Sequence, residues 1–222
     1  MLLALDTSTQ WMGIALYDGK SVLYEKVWIT QKRHTVELAP AIHDALIASG
    51  IKMEQLSALG VALGPGSFTS LRIGLVFVKG LALANHLPVI GIPTLDILAY
   101  SQPIKELPLV CVLHAGRGKL ASREYQAQEG LWVGHEEIRV STAKELESSI
   151  AVPTLICGEM DEEERKILAR KWKRVTLASP ANCMRRPGFL AELAWQKWKS
   201  GSVDDPITLS PIYLHTSDPI PD

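Results

Sequence analysis

Gly64-Pro65-Gly66-Ser67-Phe68-Thr69-Ser70-Leu71-Arg72-Ile73-Gly74 follows directly on the apolar run Ala58–Leu63 and opens a second apolar stretch that reaches Asn85. A short apolar run, a glycine turn and a long apolar segment read as strand, tight loop and helix. Free N–H groups at the start of a helix are a potential anion site. No Gly-Lys-Ser/Thr follows the glycines, however, and Pro65 removes one donor. The reading is therefore a tight strand-to-helix turn in which Ser67 or Thr69 caps the helix.

Upstream of this unit, the apolar runs Leu2–Leu5 and Met12–Tyr17 flank Asp6-Thr7-Ser8-Thr9, and Asp18-Gly19 is a hairpin turn before Ser21–Ile29. Three antiparallel strands are expected there. A helix is expected from Thr35 to Ser49, with Leu38, Ile42, Ala45 and Leu46 at helical spacing and Gly50 as its stop. Downstream, Pro88–Ile92 reads as a strand and Thr94 as the cap of a helix through Tyr100. Pro103 and Pro108 then bracket a polar connection.

The second half restarts with strands at Leu109–Leu113 and Leu120–Tyr125 around Gly116-Arg117-Gly118. A helix at Thr142–Ser149, a strand at Thr154–Cys157, a helix at Asp161–Lys171 and a strand near Arg174–Leu177 are expected to follow. The last helix is placed at Gly188–Lys199, before an irregular proline-containing tail. Alternating elements predict an α/β fold of two lobes, each a mixed sheet with flanking helices. The lobes are expected at 1–102 and 103–222, with the final helix free to return to the first. Both halves begin with an antiparallel pair around a turn, a sign of duplication.

A formal net charge of −1 gives the chain no electrostatic footprint for nucleic acid, so contact with RNA is expected only indirectly. Cys111, Cys157 and Cys183 are widely spaced and odd in number, which predicts no disulfide framework and a reducing, cytoplasmic setting. The opening apolar stretch is too short for a signal peptide, and no membrane span is expected. His34 and His43 stand nine apart, so they cannot share a helix face as a metal pair, and His86, His114, His135 and His215 are scattered. Neither a metal site nor a catalytic constellation can be assembled. Trp195 and Trp198 read as anchors of the last helix.

Three segments carry a family likeness. Leu3-Ala4-Leu5-Asp6-Thr7-Ser8, the Gly64–Gly74 loop and Gly91-Ile92-Pro93-Thr94-Leu95-Asp96-Ile97-Leu98-Ala99 resemble, in order and spacing over residues 1–100, the TsaB (YeaZ) family. The resemblance implies a two-lobed actin/hexokinase-like (ribonuclease H-like) fold. It also implies a non-catalytic role in making threonylcarbamoyladenosine in tRNA, as scaffold or activator of the transferase TsaD. A TsaE-like ATPase would dock on the pair, and a homodimer is the other expected assembly. In this likeness Asp6, Gly64, Gly66, Ser67, Thr69 and Gly74 are motif and structural positions, while Leu38, Arg72, Leu75, Val76 and Lys79 lie at or near the partner surface.

The chain departs from the family pattern at Ser70, usually glycine, at His114 and Lys119, where acids are usual, and at His215. Kinases and ATPases of this superfamily hold phosphates with two hairpins, each carrying an acid near glycine. Here Asp6-Thr7-Ser8-Thr9 has no glycine and the second hairpin has His114, so no cofactor is expected, although a nucleotide at a subunit junction stays open. A small kinase or ATPase of the same fold and a regulatory homodimer remain as alternative functions.

The segment Thr69–Asn85 is apolar on nearly every side, with Arg72 and Lys79 as its charges. Such a helix is either central in a layered core or completes its burial against another chain.

Overall fold

A computed structural model describes residues 1–31, 33–171 and 173–214, so the departure at His215 lies outside the described residues. The chain forms two compact units. Met1–Ile97 joins Arg185–Pro211 in the first, and Leu98–Met184 joins the short return that begins at Ile212 in the second.

In the first unit, β1 (Leu2–Asp6) is buried along its whole length because its sheet is covered on both faces. It pairs antiparallel with β2 (Trp11–Tyr17), which pairs antiparallel with β3 (Val22–Ile29). On its other side β1 runs parallel to β4 (Ala58–Ala62), and β4 parallel to β5 (Val89–Ile92), giving the order β3-β2-β1-β4-β5. Parallel strands need crossovers, and α2 (Phe68–Asn85) supplies the one from β4 to β5, while α1 (His34–Ser49) lies between β3 and β4 in the chain. Side chains alternate along a strand, so Leu3 and Leu5 face α1 and α2 with Leu38, Ile42, Leu75 and Val78. Leu2 and Ala4 face the opposite way, toward α6 (Pro187–Lys199) and its Leu190, Ala191 and Ala194. The last helix thus packs on the first sheet, and Gly60 admits it closely: a Cβ there would stand 2.9 Å from that of Ala194. Trp195 meets Tyr17 edge-on, with ring centroids 5.7 Å apart.

The second unit repeats the plan. β6 (Leu109–Gly116), β7 (Lys119–Gln128) and β8 (Leu131–Gly134) form an antiparallel meander, and β10 (Thr154–Gly158) and β11 (Val175–Leu177) extend the sheet in parallel from β6. Its order, β11-β10-β6-β7-β8, is that of the first sheet read from the other edge, which gives the duplication a topological basis. The β6–β7 turn needs left-handed backbone at Gly116, Arg117 and Gly118, and two of these three are the residue that adopts it freely. Two strands were not expected from the sequence, β8 and β9 (Arg139–Ser141), both pairing with β7. The helices α4 (Ala143–Ser149) and α5 (Glu162–Ala169) each start with a capping box, Thr142 with Glu145 and Asp161 with Glu164. Thr142→Ala is expected to cost about 1 kcal/mol of stability, read in urea unfolding, because the Glu145 N–H loses its acceptor. None of the three cysteines is in a disulfide, and all three are buried.

Candidate functional site

The end of β1 turns through Asp6-Thr7-Ser8-Thr9, four polar residues that are all buried. Buried polar groups are costly unless bonded, and here every one has a partner. The Ser8 N–H donates to Asp6 Oδ1 at 2.8 Å, and Arg185 Nε donates to Asp6 Oδ2 at 2.8 Å. Arg185 Nη2 also reaches Thr9 Oγ1 at 2.9 Å and the Trp11 carbonyl at 3.2 Å. His34, buried at the start of α1, donates Nε2–H to the Thr9 carbonyl at 3.1 Å, which fixes its tautomer.

The glycine loop closes over this turn. Ser67 N–H donates to the Ser8 carbonyl at 2.6 Å. A Cβ on Gly66 would overlap that same carbonyl oxygen, and a Cβ on Gly74 would overlap Thr7 Oγ1. Thr7 Oγ1 donates to the Ser70 carbonyl at 2.8 Å. The third segment joins through Thr94, the first residue of α3 (Thr94–Tyr100). Its Oγ1 lies 2.8 Å from Ser8 Oγ and accepts from Gly64 N–H at 2.9 Å, and its own N–H donates to the Gly64 carbonyl at 2.7 Å. The three sequence segments that carry the family likeness therefore meet in one buried polar knot. The knot sets where α2 begins and how closely α2 lies against β1.

Two expectations for this loop need correction. Ser67 holds the cap position of α2, but its side chain makes no capping bond. Its Oγ accepts from Ser70 Oγ at 3.0 Å instead, and Ser70 here takes the place of the usual glycine. Thr69 lies exposed, one residue into the helix, and caps nothing.

Both carboxylate oxygens of Asp6 are engaged, one by the Ser8 N–H and one by Arg185. In the second unit His114 Nε2 lies 3.6 Å from Glu164 Oε2, and that same oxygen accepts from the Asp161 N–H at the start of α5. A groove of about 460 Å³ is lined by residues including Lys119, Glu124, Glu137 and Arg139, and its charges pair internally: Arg139 bonds Glu137 at 3.0 Å. Among the described residues no cluster of metal-ligating side chains occurs.

The partner-surface residues separate into two groups. Leu38 and Leu75 are core residues, 1% and 5% exposed, rather than surface ones. Leu38 belongs to the stripe with Ile42 and Ala45 that α1 needs for its own sheet, and Leu75 lies on the α2 face that carries Gly74. Arg72 and Val76 are exposed and Lys79 is half-buried. Arg72 stacks its guanidinium 3.8 Å from the Phe68 ring centroid. Along α2 the exposed residues Thr69, Arg72, Val76, Gly80 and Leu83 recur at three- and four-residue steps, a continuous stripe opposite the buried one. α1 adds exposed Val36 and Ile47. The described residues thus leave Val76 and Leu83 of α2 and Val36 and Ile47 of α1 exposed as large apolar side chains.

The duplicated sheet plan and the knotted first turn define an α/β protein of the actin/hexokinase-like class. Its backbone matches YeaZ from Pseudomonas aeruginosa with a TM-score of 0.75 at 24% identity, over 96% of this chain and 99% of that one. A ROK hexokinase from Thermus thermophilus matches at 0.51 and 14%, over 90% and 99%. Residues 28–154 match the family model described as "TsaD: tRNA N6-adenosine threonylcarbamoyltransferase". The chain belongs to that family, on its TsaB (YeaZ) branch. Two curated relatives are named tRNA threonylcarbamoyladenosine biosynthesis protein TsaB. The one from Escherichia coli K12 is 35% identical, over 61% of this chain and 59% of its own length. The one from Bacillus subtilis 168 is 34% identical, over 59% and 57%. The match therefore spans less than two thirds of either relative.

Proposed function

We propose that this chain is a non-catalytic subunit in the synthesis of threonylcarbamoyladenosine in tRNA, and that it supports a TsaD-like transferase by pairing through the α1–α2 face. The observation that carries the reading is the exposed stripe on α2, with Val76 69% and Leu83 80% exposed on a helix whose opposite side is core. The relatives' names supply the pathway. The shared family supports the choice of partner: a transferase from Symbiobacterium thermophilum is 36% identical over 92 residues, 40% of this chain and 27% of its own length. Self-pairing through the same face is the corresponding homodimer.

No nucleotide or metal is assigned to this chain in the reading, because Asp6 serves Arg185 and Ser8, and His114 stands at the second hairpin. A TsaE-like ATPase would join the assembled pair, in the cytoplasm, and tRNA would be bound by the assembly rather than by this near-neutral chain.

The test is size-exclusion chromatography with light scattering, with and without TsaD from the same source. A one-to-one complex is expected. Val76→Asp should weaken it by at least ~2 kcal/mol, about 30-fold, as burying an unpaired charge at an apolar contact does. Its melting temperature should stay near that of the parent, since Val76 is exposed. A variant that pairs as tightly as the parent would remove the proposed surface, and a chain that never pairs with TsaD would remove the function.

A further inference from the structure

Cys157 lies at the end of β10, and Cys183 closes the 3-10 turn Pro180–Cys183, both within the second unit. The two thiols hydrogen-bond to each other. Cys157 Sγ lies 3.3 Å from the Asn182 carbonyl oxygen, and Cys183 Sγ lies 3.6 Å from that of Ala178. Arg165, on α5, fixes its Nη2 on the Ala178 carbonyl at 2.8 Å and holds Nη1 3.8 Å from Cys183 Sγ. The Gly158 N–H points at the same sulfur. Each sulfur therefore has a carbonyl beside it, but Cys183 alone has the Arg165 guanidinium within hydrogen-bonding reach.

That asymmetry divides the pair. The hydrogen bond from Cys157, helped by Gly158 and Arg165, lowers the Cys183 thiol to about 6, against the opposing effect of burial. The bond to Cys183 and burial push Cys157 far up. The two shifts run in opposite directions, which separates an attacking sulfur from a resolving one.

We propose that Cys183 and Cys157 form a peroxide-responsive dithiol that closes to a disulfide. The Cys183 sulfur attacks one oxygen of hydrogen peroxide, the O–O bond breaks, and the departing hydroxide takes a proton and leaves as water. Cys183 then carries S–OH. The Cys157 sulfur attacks Cys183 Sγ, its proton goes to the leaving hydroxyl, the S–O bond breaks, and a second water departs. Two thiols give two electrons to one peroxide. Cys183 keeps 7% exposure, and the oxidant is little larger than water. Cys111, the strand partner of Cys157 on β6 and fully buried, is the internal control.

The test treats the full chain with one equivalent of hydrogen peroxide, then alkylates free thiols and maps the peptides by mass spectrometry. A Cys157–Cys183 cross-link with Cys111 alkylated is expected. Cys157→Ser should trap Cys183 as a sulfenic acid that a dimedone probe labels, Cys183→Ser should leave Cys157 a thiol, and Arg165→Gln should slow cross-linking roughly tenfold. Oxidation first at Cys111, a Cys111–Cys157 cross-link, an unreactive parent chain, or equal oxidation of Cys157 in Cys183→Ser would each overturn the proposal. The cross-link in the parent chain is read without any variant, so a misfolded serine variant does not spoil the test.

Discussion

Arg185→Met is expected to destabilise the first unit by about 3–5 kcal/mol, because it strands a buried carboxylate without its counter-charge. Arg185 and Asp6 are 1% and 3% exposed, so water cannot replace the lost partner. The same change leaves Thr9 Oγ1 and the Trp11 carbonyl each short of a donor. For a chain of this size the loss corresponds to a fall of roughly 10 °C in melting temperature. Asp6→Asn keeps the shape but leaves the guanidinium unpaired, and should also destabilise. The double variant Asp6→Asn/Arg185→Met should recover part of the sum, by ~0.5–3 kcal/mol, since neither charge is then left alone. If the single changes proved neutral and additive, the ion pair would not be holding the turn. A further variant separates scaffold from enzyme: a magnesium–nucleotide complex that shifts the melting of the parent and not of Asp6→Ala would favour the kinase or ATPase reading.

Much of this architecture was legible because it rests on local rules. The strand–loop–helix at 58–85 shows itself by an apolar run, glycines and a second apolar run, and β1 by the unbroken apolar run Leu2–Leu5. The side of α2 that meets the sheet was not legible. Leu71, Leu75, Val78 and Ala82 make one apolar stripe and Phe68, Val76 and Leu83 another, and composition ranks them equally. What decides between them is Gly74, whose missing side chain lets Thr7 approach, and that contact exists only once the β1–β2 turn is in place. Leu38 was misplaced for the same reason: a helix uses its best stripe on its own sheet, and Leu38, Ile42 and Ala45 are that stripe. Arg185 gave no signal. It is 179 residues from Asp6 and stands beside Arg186, which bonds Glu25 on β3 instead, so nothing local tells the two apart. β8 escaped because Leu131-Trp132-Val133 is too short for its alternation to stand out, and its turn needs left-handed backbone at Glu129 as well as Gly130.

Gly66→Ala should be the more damaging of two glycine substitutions in the knot, at or beyond the upper end of the ~1–3 kcal/mol usual for overpacking. The methyl would overlap the Ser8 carbonyl oxygen, with the Ser8 carbonyl carbon and Cβ both 3.0 Å away. That carbonyl is backbone and already accepts from Ser67, so neither it nor the loop can yield without breaking the bond that positions α2. Gly74→Ala meets a side chain: Thr7 Oγ1 overlaps, and Cγ2 and Cβ stand at 3.1 and 3.2 Å. Thr7 can rotate away, at the cost of its hydrogen bond to the Ser70 carbonyl. Thr7→Ala removes the overlapping atoms altogether, so Thr7→Ala/Gly74→Ala should be more stable than the sum of the single losses predicts, whereas Ser8→Ala should give Gly66→Ala no comparable relief because the backbone oxygen stays. Urea unfolding of the seven proteins, parent included, distinguishes these cases. Because α2 carries the exposed stripe, Gly66→Ala should also weaken pairing with TsaD although no residue of the stripe has changed. Unaltered pairing by a folded Gly66→Ala protein would mean that the knot fixes the core of the first unit and leaves the presentation of α2 to other contacts.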